Sequence, residues 1–145
     1  MGETGQQLEF PTIEEIILIN KRQTTVYGGH WAPPHNLRAL GRLELLLDSI
    51  QRPLFGIDAY PGLVRKAAHL AYVIIRGHLF WDGCKRTGMH TMLYFLALNG
   101  HAIRAATDEF EHVALATAAG NVTEDELAAW IEARLGPYRR NAGRE

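Results

Sequence analysis

Cysteine occurs once in the chain, at Cys84, so no disulfide can close within it and none of the Cys-rich zinc spacings is present. That usage fits a reducing, cytoplasmic setting. Runs of eighteen apolar residues are missing, and Met1 to Gln7 has neither the basic segment nor the apolar core of a secretory signal, so no membrane association is expected. Excess charge is missing as well. Fifteen Lys and Arg against sixteen Asp and Glu leave a formal charge of -1, which removes the broad positive field of a duplex-DNA binder and argues against direct nucleic-acid binding. A local basic pocket stays open. No period repeats and no segment is of low complexity, which excludes solenoids and coiled coils. What is present is 145 residues, 47% of them hydrophobic, enough for one globular core without metal or disulfide.

The apolar residues recur mostly at helical spacing. Thr12-Ile-Glu-Glu15 reads as a capping box that starts a helix with Ile13, Ile16, Ile17 and Ile19 on its apolar side, and Tyr27-Gly28-Gly29 ends it. His30 to Pro34 is a loop. A second helix is expected from about Asn36 to Gln51, on Leu37, Leu40, Leu43, Leu46, Leu47 and Ile50, up to Pro53. Pro53 to Tyr60 reads as a loop or short hairpin, and Pro61 suits the first position of a third helix that Gly77 ends. A fourth helix is expected at about Lys85 to Leu98, closed by Asn99-Gly100. Two more are expected at about Asp108 to Ala119 and Thr123 to Leu135, the last behind the capping box Thr123 to Glu126. The chain thus divides into a flexible N-terminus (1–10), one all-α domain (11–135) and a flexible tail (136–145). About six helices with short connections give a compact bundle centred on the pair flanking Gly77 to Cys84.

That connection, Arg76-Gly-His-Leu-Phe-Trp-Asp-Gly-Cys-Lys-Arg-Thr87, is far more polar than a helix linker needs to be. Gly83 and Cys84 fall at the start of the fourth helix, where free N–H groups and the positive dipole end favour an anion. Lys85 and Arg86 add charge-assisted donors, and Arg86 can take phosphate oxygens in a bidentate way. Asp82 suits Mg²⁺, which takes one or two carboxylates and completes its shell with water and phosphate oxygens. His78 can accept a proton from an attacking hydroxyl. These parts match phosphoryl or nucleotidyl transfer to a hydroxyl. Read blandly, Asp82 and Arg86 are a surface ion pair at i,i+4, His78 a helix-end cap, and Phe80 and Trp81 packing residues.

The string His78 to Arg86 resembles the Fic motif, His-x-Phe-x-Asp/Glu-Gly-Asn-Gly/Lys-Arg, and more closely its death-on-curing (Doc) toxin branch. The likeness extends to Thr87, to Phe95-Leu-Ala-Leu-Asn-Gly100, and upstream to Tyr27-Gly28-Gly29, Arg52-Pro53 and Ala67-Ala68. The resemblance implies an all-α Fic core with the motif in the loop between two central helices. It assigns His78 as the base, Asp82 as the Mg²⁺ ligand, Gly83, Cys84, Lys85 and Arg86 to the nucleotide phosphates, and Phe80 as the anchor of the loop. It also implies ATP as phosphate donor, a Ser or Thr hydroxyl on a protein as acceptor (elongation factor Tu in the Doc branch), and a small antitoxin acting in trans. Most Fic proteins instead transfer AMP. The Doc branch has Lys where they have a second Gly, as here at Lys85.

Two departures matter. Cys84 stands where the motif has Asn, which leaves a noncatalytic Fic-fold binding module as the alternative from another class; beside Lys85 and Arg86 its thiol is expected to favour the thiolate. In Arg38-Ala-Leu-Gly-Arg-Leu-Glu44 the aspartate common in the family is absent. The family's inhibitory helix, with a glutamate followed by Gly or Asn, has no counterpart, since no glutamate here is so followed. His30, His35, His69, His90, His101 and His112 show no metal spacing, and His90 reads as a polar residue on a helix face.

Overall fold

The computed structural model describes residues 7–139. Six helices and two short strands follow in order: α1 (Ile13–Tyr27), α2 (Leu40–Gln51), α3 (Leu63–Arg76), α4 (Cys84–Leu98), β1 (His101–Ile103), α5 (Thr107–Ala118), α6 (Glu124–Arg134) and β2 (Leu135–Pro137). This is the helical bundle expected of the Fic type. Its centre is the α3–α4 pair, against which α1 and α6 pack from either side. Small residues let the pair approach: Ala67, Ala68 and Ala71 on α3 and Gly88 on α4 are all buried. A Cβ built on Gly88 would stand 2.6 Å from Ile75 Cγ1 and 3.0 Å from the Ala71 carbonyl.

Both capping boxes form. At α1 the Glu15 N–H donates to Thr12 Oγ1 (3.1 Å) and the Thr12 N–H to Glu15 Oε1 (2.9 Å). The Tyr94 hydroxyl donates to Glu15 Oε2 at 2.7 Å, so the same carboxylate ties α1 to α4. The Thr12 N–H, and then Tyr94, hold Glu15 below the usual glutamate range. Gly28, in the left-handed region at φ 79°, ends α1.

Two expectations are corrected. α2 begins at Leu40 rather than near Asn36, because Asn36 is left-handed (φ 58°) and Leu37 pairs with Phe80 as an isolated antiparallel bridge. Pro61 precedes the cap residue Gly62 instead of opening α3. Residues near both ends of the described stretch also touch the bundle. Phe10 stacks on Phe95 with centroids 5.3 Å apart, while the Glu9 N–H donates to Asn99 Oδ1 at 2.9 Å. Leu135 to Pro137 pair antiparallel with Ile103 to His101, and the Tyr138 N–H donates to the Gly100 carbonyl. Residues 1–6 and 140–145 of the two expected tails lie outside the described residues. Between α2 and α3, Leu54 and Ile57 close a tight hairpin around Phe55 and Gly56.

Gly88→Ala sets alanine's helix preference, worth about 1 kcal/mol, against a methyl driven into Ile75 and the α3 backbone. Overpacking of that kind costs about 1–3 kcal/mol and should win. Urea denaturation should show a lowered midpoint; an unchanged or raised one would mean that the helix pair has slack.

Candidate active site

The connection from Gly77 to Gly83 is held by backbone contacts to residues 36–42. Arg38 and Ala39 N–H groups donate to the Leu79 carbonyl (2.8 and 3.3 Å), and the Trp81 N–H donates to the Asn36 carbonyl (2.9 Å). Side chains finish the clamp: Arg38 Nε donates to the His78 carbonyl at 2.9 Å and Arg42 Nη1 to the Gly77 carbonyl at 3.0 Å. Leu79 and Phe80 are buried beneath the loop. With its two successors drawn inward, His78 takes the left-handed conformation (φ 48°) and lies exposed at the end of α3. Such a conformation is uncommon for a residue with a Cβ and needs the surrounding contacts to hold it.

At the other end of the loop Asp82 is oriented by two amides. Its Oδ2 accepts the His30 N–H (2.7 Å) and its Oδ1 the Gly83 N–H (2.8 Å). The His30 amide chiefly, then Gly83, keep this carboxyl below the ordinary aspartate range, and the nearby charge of Lys85 acts in the same direction. Gly83 caps α4 at φ 79°, and a Cβ there would stand 3.1 Å from Asn20 Nδ2. Conformation and space both require glycine.

Beneath the loop lies a buried polar trio. Asn20 Nδ2 donates to the Asp82 carbonyl and to Thr87 Oγ1, both at 2.9 Å, and Asn20 Oδ1 accepts from Asn36 Nδ2 at 2.8 Å. Asn36 Oδ1 accepts the Ala32 N–H at 2.7 Å. Sequence reading gave Asn20 and Asn36 no part in the site. The available signal was a polar residue at Asn20, one turn from Ile16 on the buried side of α1.

Lys85 and Arg86 project from the first turn of α4, which carries no acidic residue. The Arg86 guanidinium carbon lies 3.9 Å from the centre of the Tyr27 ring. Both cations line a cleft of about 470 Å³ together with Tyr27 and His90, and its inner wall is apolar, from Leu93 and Phe110. His90 therefore faces the cleft rather than a plain helix surface. Burial, and then Arg86 and Arg22, push its pKa down.

Cys84 points elsewhere. Its thiol donates to the Phe80 carbonyl at 3.2 Å and packs against the core. Burial raises its pKa, which overturns the expected thiolate character. Of the residues singled out from the sequence, Asp82, Gly83, Lys85 and Arg86 come together at the start of α4. His78 stands across the loop, and Phe80 and the Cys84 side chain lie inward.

A protein-family model, the Fic/DOC family, matches residues 10–96, more than half of the chain and all of the loop described above. The chain belongs to the Fic/DOC family. It is also similar to Toxin Doc of Mycolicibacterium smegmatis (strain ATCC 700084 / mc(2)155), 38% identical over 72 residues, covering 50% of this chain and 55% of that protein. The aligned stretch thus spans about half the length of that relative. No helix among the described residues is long and apolar enough to cross a membrane.

Asn20→Ala strands the Thr87 hydroxyl, the Asp82 carbonyl and the Asn36 amide together. At about 1–3 kcal/mol for each buried group left unpaired, a loss of about 3 kcal/mol in urea denaturation is expected. A change within 0.5 kcal/mol would show that the trio is dispensable. For Cys84, a raised pKa means little thiolate at neutral pH, so iodoacetamide should react with it more slowly at pH 7 than with glutathione. Faster reaction would restore the thiolate reading.

Proposed function

We propose that this chain is a Doc-like toxin that transfers phosphate from ATP to a Ser or Thr hydroxyl of a protein, with elongation factor Tu as the expected target and a small antitoxin holding it in check. The observation that carries the reading is the convergence of an oriented carboxylate and two cations at one helix start, the two cations lining a cleft of about 470 Å³, with an exposed imidazole on the same loop.

In this reading the first-turn amides of α4, Lys85 and Arg86 bind the phosphates. Asp82 fits Mg²⁺ in one specific respect: its two amide donors keep it ionised and fixed, while no group of three or more His, Cys, Asp or Glu among the described residues could cage a metal alone. Such a site suits a cation that draws its other ligands from phosphate and water. When bound there, Mg²⁺ supplies neutralisation of phosphate charge. His78 accepts the proton of the target hydroxyl; the hydroxyl oxygen bonds to the γ-phosphorus, the bond from that phosphorus to the β,γ-bridging oxygen breaks, and ADP leaves.

Lys85 lines the cleft, and its side chain takes space that the glycine of most Fic motifs leaves open. This favours the γ-phosphate, not the α-phosphate, beside His78. Cys84 is compatible with activity, since its thiol holds the loop through the Phe80 carbonyl and its backbone N–H belongs to the first turn of α4.

Purified protein, Mg²⁺ and ATP labelled at either the α or the γ position, added to a bacterial lysate, test the proposal. Label from the γ position alone should enter protein. Protein carrying α label would mean AMP transfer, and ATP binding without either label would mean a binding module. His78→Ala should abolish transfer while ATP affinity stays within about two-fold, because the base does not hold the phosphates. Loss of binding together with transfer would remove His78 from the role of base.

A further inference from the structure

The tetrapeptide Tyr27-Gly28-Gly29-His30 ends α1, and the end of a helix requires only the left-handed glycine, Gly28. The other three residues have no such duty. Tyr27 is 57% exposed, so its ring adds little to the core, yet it lies flat enough against Arg86 for a 3.9 Å approach of the guanidinium carbon to the ring centre. Gly29 is not in the left-handed region; its lack of a side chain answers to space, because a Cβ there would stand 3.0 Å from Asp82 Oδ2 and 3.3 Å from Thr24 Cγ2. The bare Gly29 lets the next amide, that of His30, reach Asp82 Oδ2 at 2.7 Å.

We infer that this turn is a positioning element of the phosphate site, aligning Arg86 through the Tyr27 ring and Asp82 through the His30 amide. The inference rests on the nucleotide reading of the site given above. A guanidinium held over a ring face is attracted by the ring and keeps N–H donors directed away from it, free for phosphate oxygens. The turn is itself fixed at both ends. Gly28 and Gly29 N–H groups donate to the Thr24 carbonyl, and the His30 carbonyl accepts Asn36 Nδ2 at 3.2 Å. Four residues outside the motif thus hold two motif residues that stand on either side of Gly83. Tyr27 and Gly29 act through Arg86 and Asp82 and are positioning residues.

Two measurements test this on the full chain. The first needs no nucleotide: the Nε–Hε signal of Arg86, identified by its absence from Arg86→Ala, should be displaced by the Tyr27 ring current. The displacement should vanish in Tyr27→Leu and persist in Tyr27→Phe. The second is calorimetric titration with ATP, with and without Mg²⁺. Tyr27→Leu should weaken ATP binding about two- to five-fold, the range of an exposed cation–π contact, and Tyr27→Phe should recover it. On an Arg86→Ala background Tyr27→Leu should cost nothing more, since its effect passes through that side chain. Gly29→Ala should reduce the gain in affinity that Mg²⁺ brings while leaving Mg²⁺-free binding as in wild type. Val26→Ala, an exposed neighbour on the same turn of helix, is the control. An Arg86 signal unmoved by Tyr27→Leu overturns the inference, as does a Tyr27→Leu loss that persists in full without Arg86. Wild type that binds no ATP overturns the reading of the site itself, whereas normal wild-type binding with neither variant altered overturns the turn alone.

Discussion

A single buried amide, that of Asn20, joins the three pieces from which the site is assembled. It reaches the motif loop at the Asp82 carbonyl, α4 at Thr87 and the segment after α1 at Asn36, and all three asparagine and threonine side chains are essentially inaccessible to water. Buried polar groups in a low-dielectric interior are costly when unpaired and rigidifying when paired, so this trio admits one arrangement of the pieces. The loop to which the proposed function assigns the chemistry is thus fixed from below by buried side chains.

From above, the same loop is held in a conformation that its own residues would not choose. His78 is left-handed, and the carbonyls of Gly77, His78 and Leu79 are claimed by Arg42, Arg38 and the backbone of residues 38 and 39. Burial of Leu79 and Phe80 draws the chain inward at the next step. The strain at one residue is offset by packing and hydrogen bonds on its neighbours, and it leaves an imidazole exposed on a rigid base. The segment Arg38 to Glu44, where the aspartate common in the family is missing, contributes the arginines of this clamp.

The helices were legible because their signals are local: two capping boxes, periodic leucines and isoleucines, and Gly28 in its stop position. The short strands were not. Three-residue runs such as His101-Ala-Ile and Leu135-Gly-Pro are too brief to show a period, and only the pairing of β1 with β2 makes them strands. The start of α2 was misplaced for a related reason, since Leu37 continues the helical spacing while tertiary pairing with Phe80 claims it. In the candidate site, type, spacing and the resemblance single out the residues from His78 to Arg86. Asn20, Asn36 and the two arginines of the clamp act across 16 to 67 positions of sequence, a range at which spacing carries no signal. At Cys84 the sequence displays the neighbouring cations but not the burial that outweighs them.

Charge placement at the helix starts divides the bundle into two groups. α1, α5 and α6 carry acidic residues in their first turns, Glu14 and Glu15, Asp108 and Glu109, and Glu124 to Glu126, each complementing the positive end of its dipole. α2, α3 and α4 carry no acid there; α3 opens with Arg65 and Lys66, which meet Asp125 at 2.7 Å and Asp58 at 2.6 Å, and α4 opens with Lys85 and Arg86. Each such cation at a helix start costs about 0.3–1 kcal/mol, a local conflict of the kind that folds tolerate at functional positions. Stacking on Tyr27 relieves part of it for Arg86, and the ionised Asp82 offsets part for Lys85. In the proposed function, nucleotide phosphates would meet the electrostatic demand of the α4 start, so that binding would draw on repulsion already present in the fold.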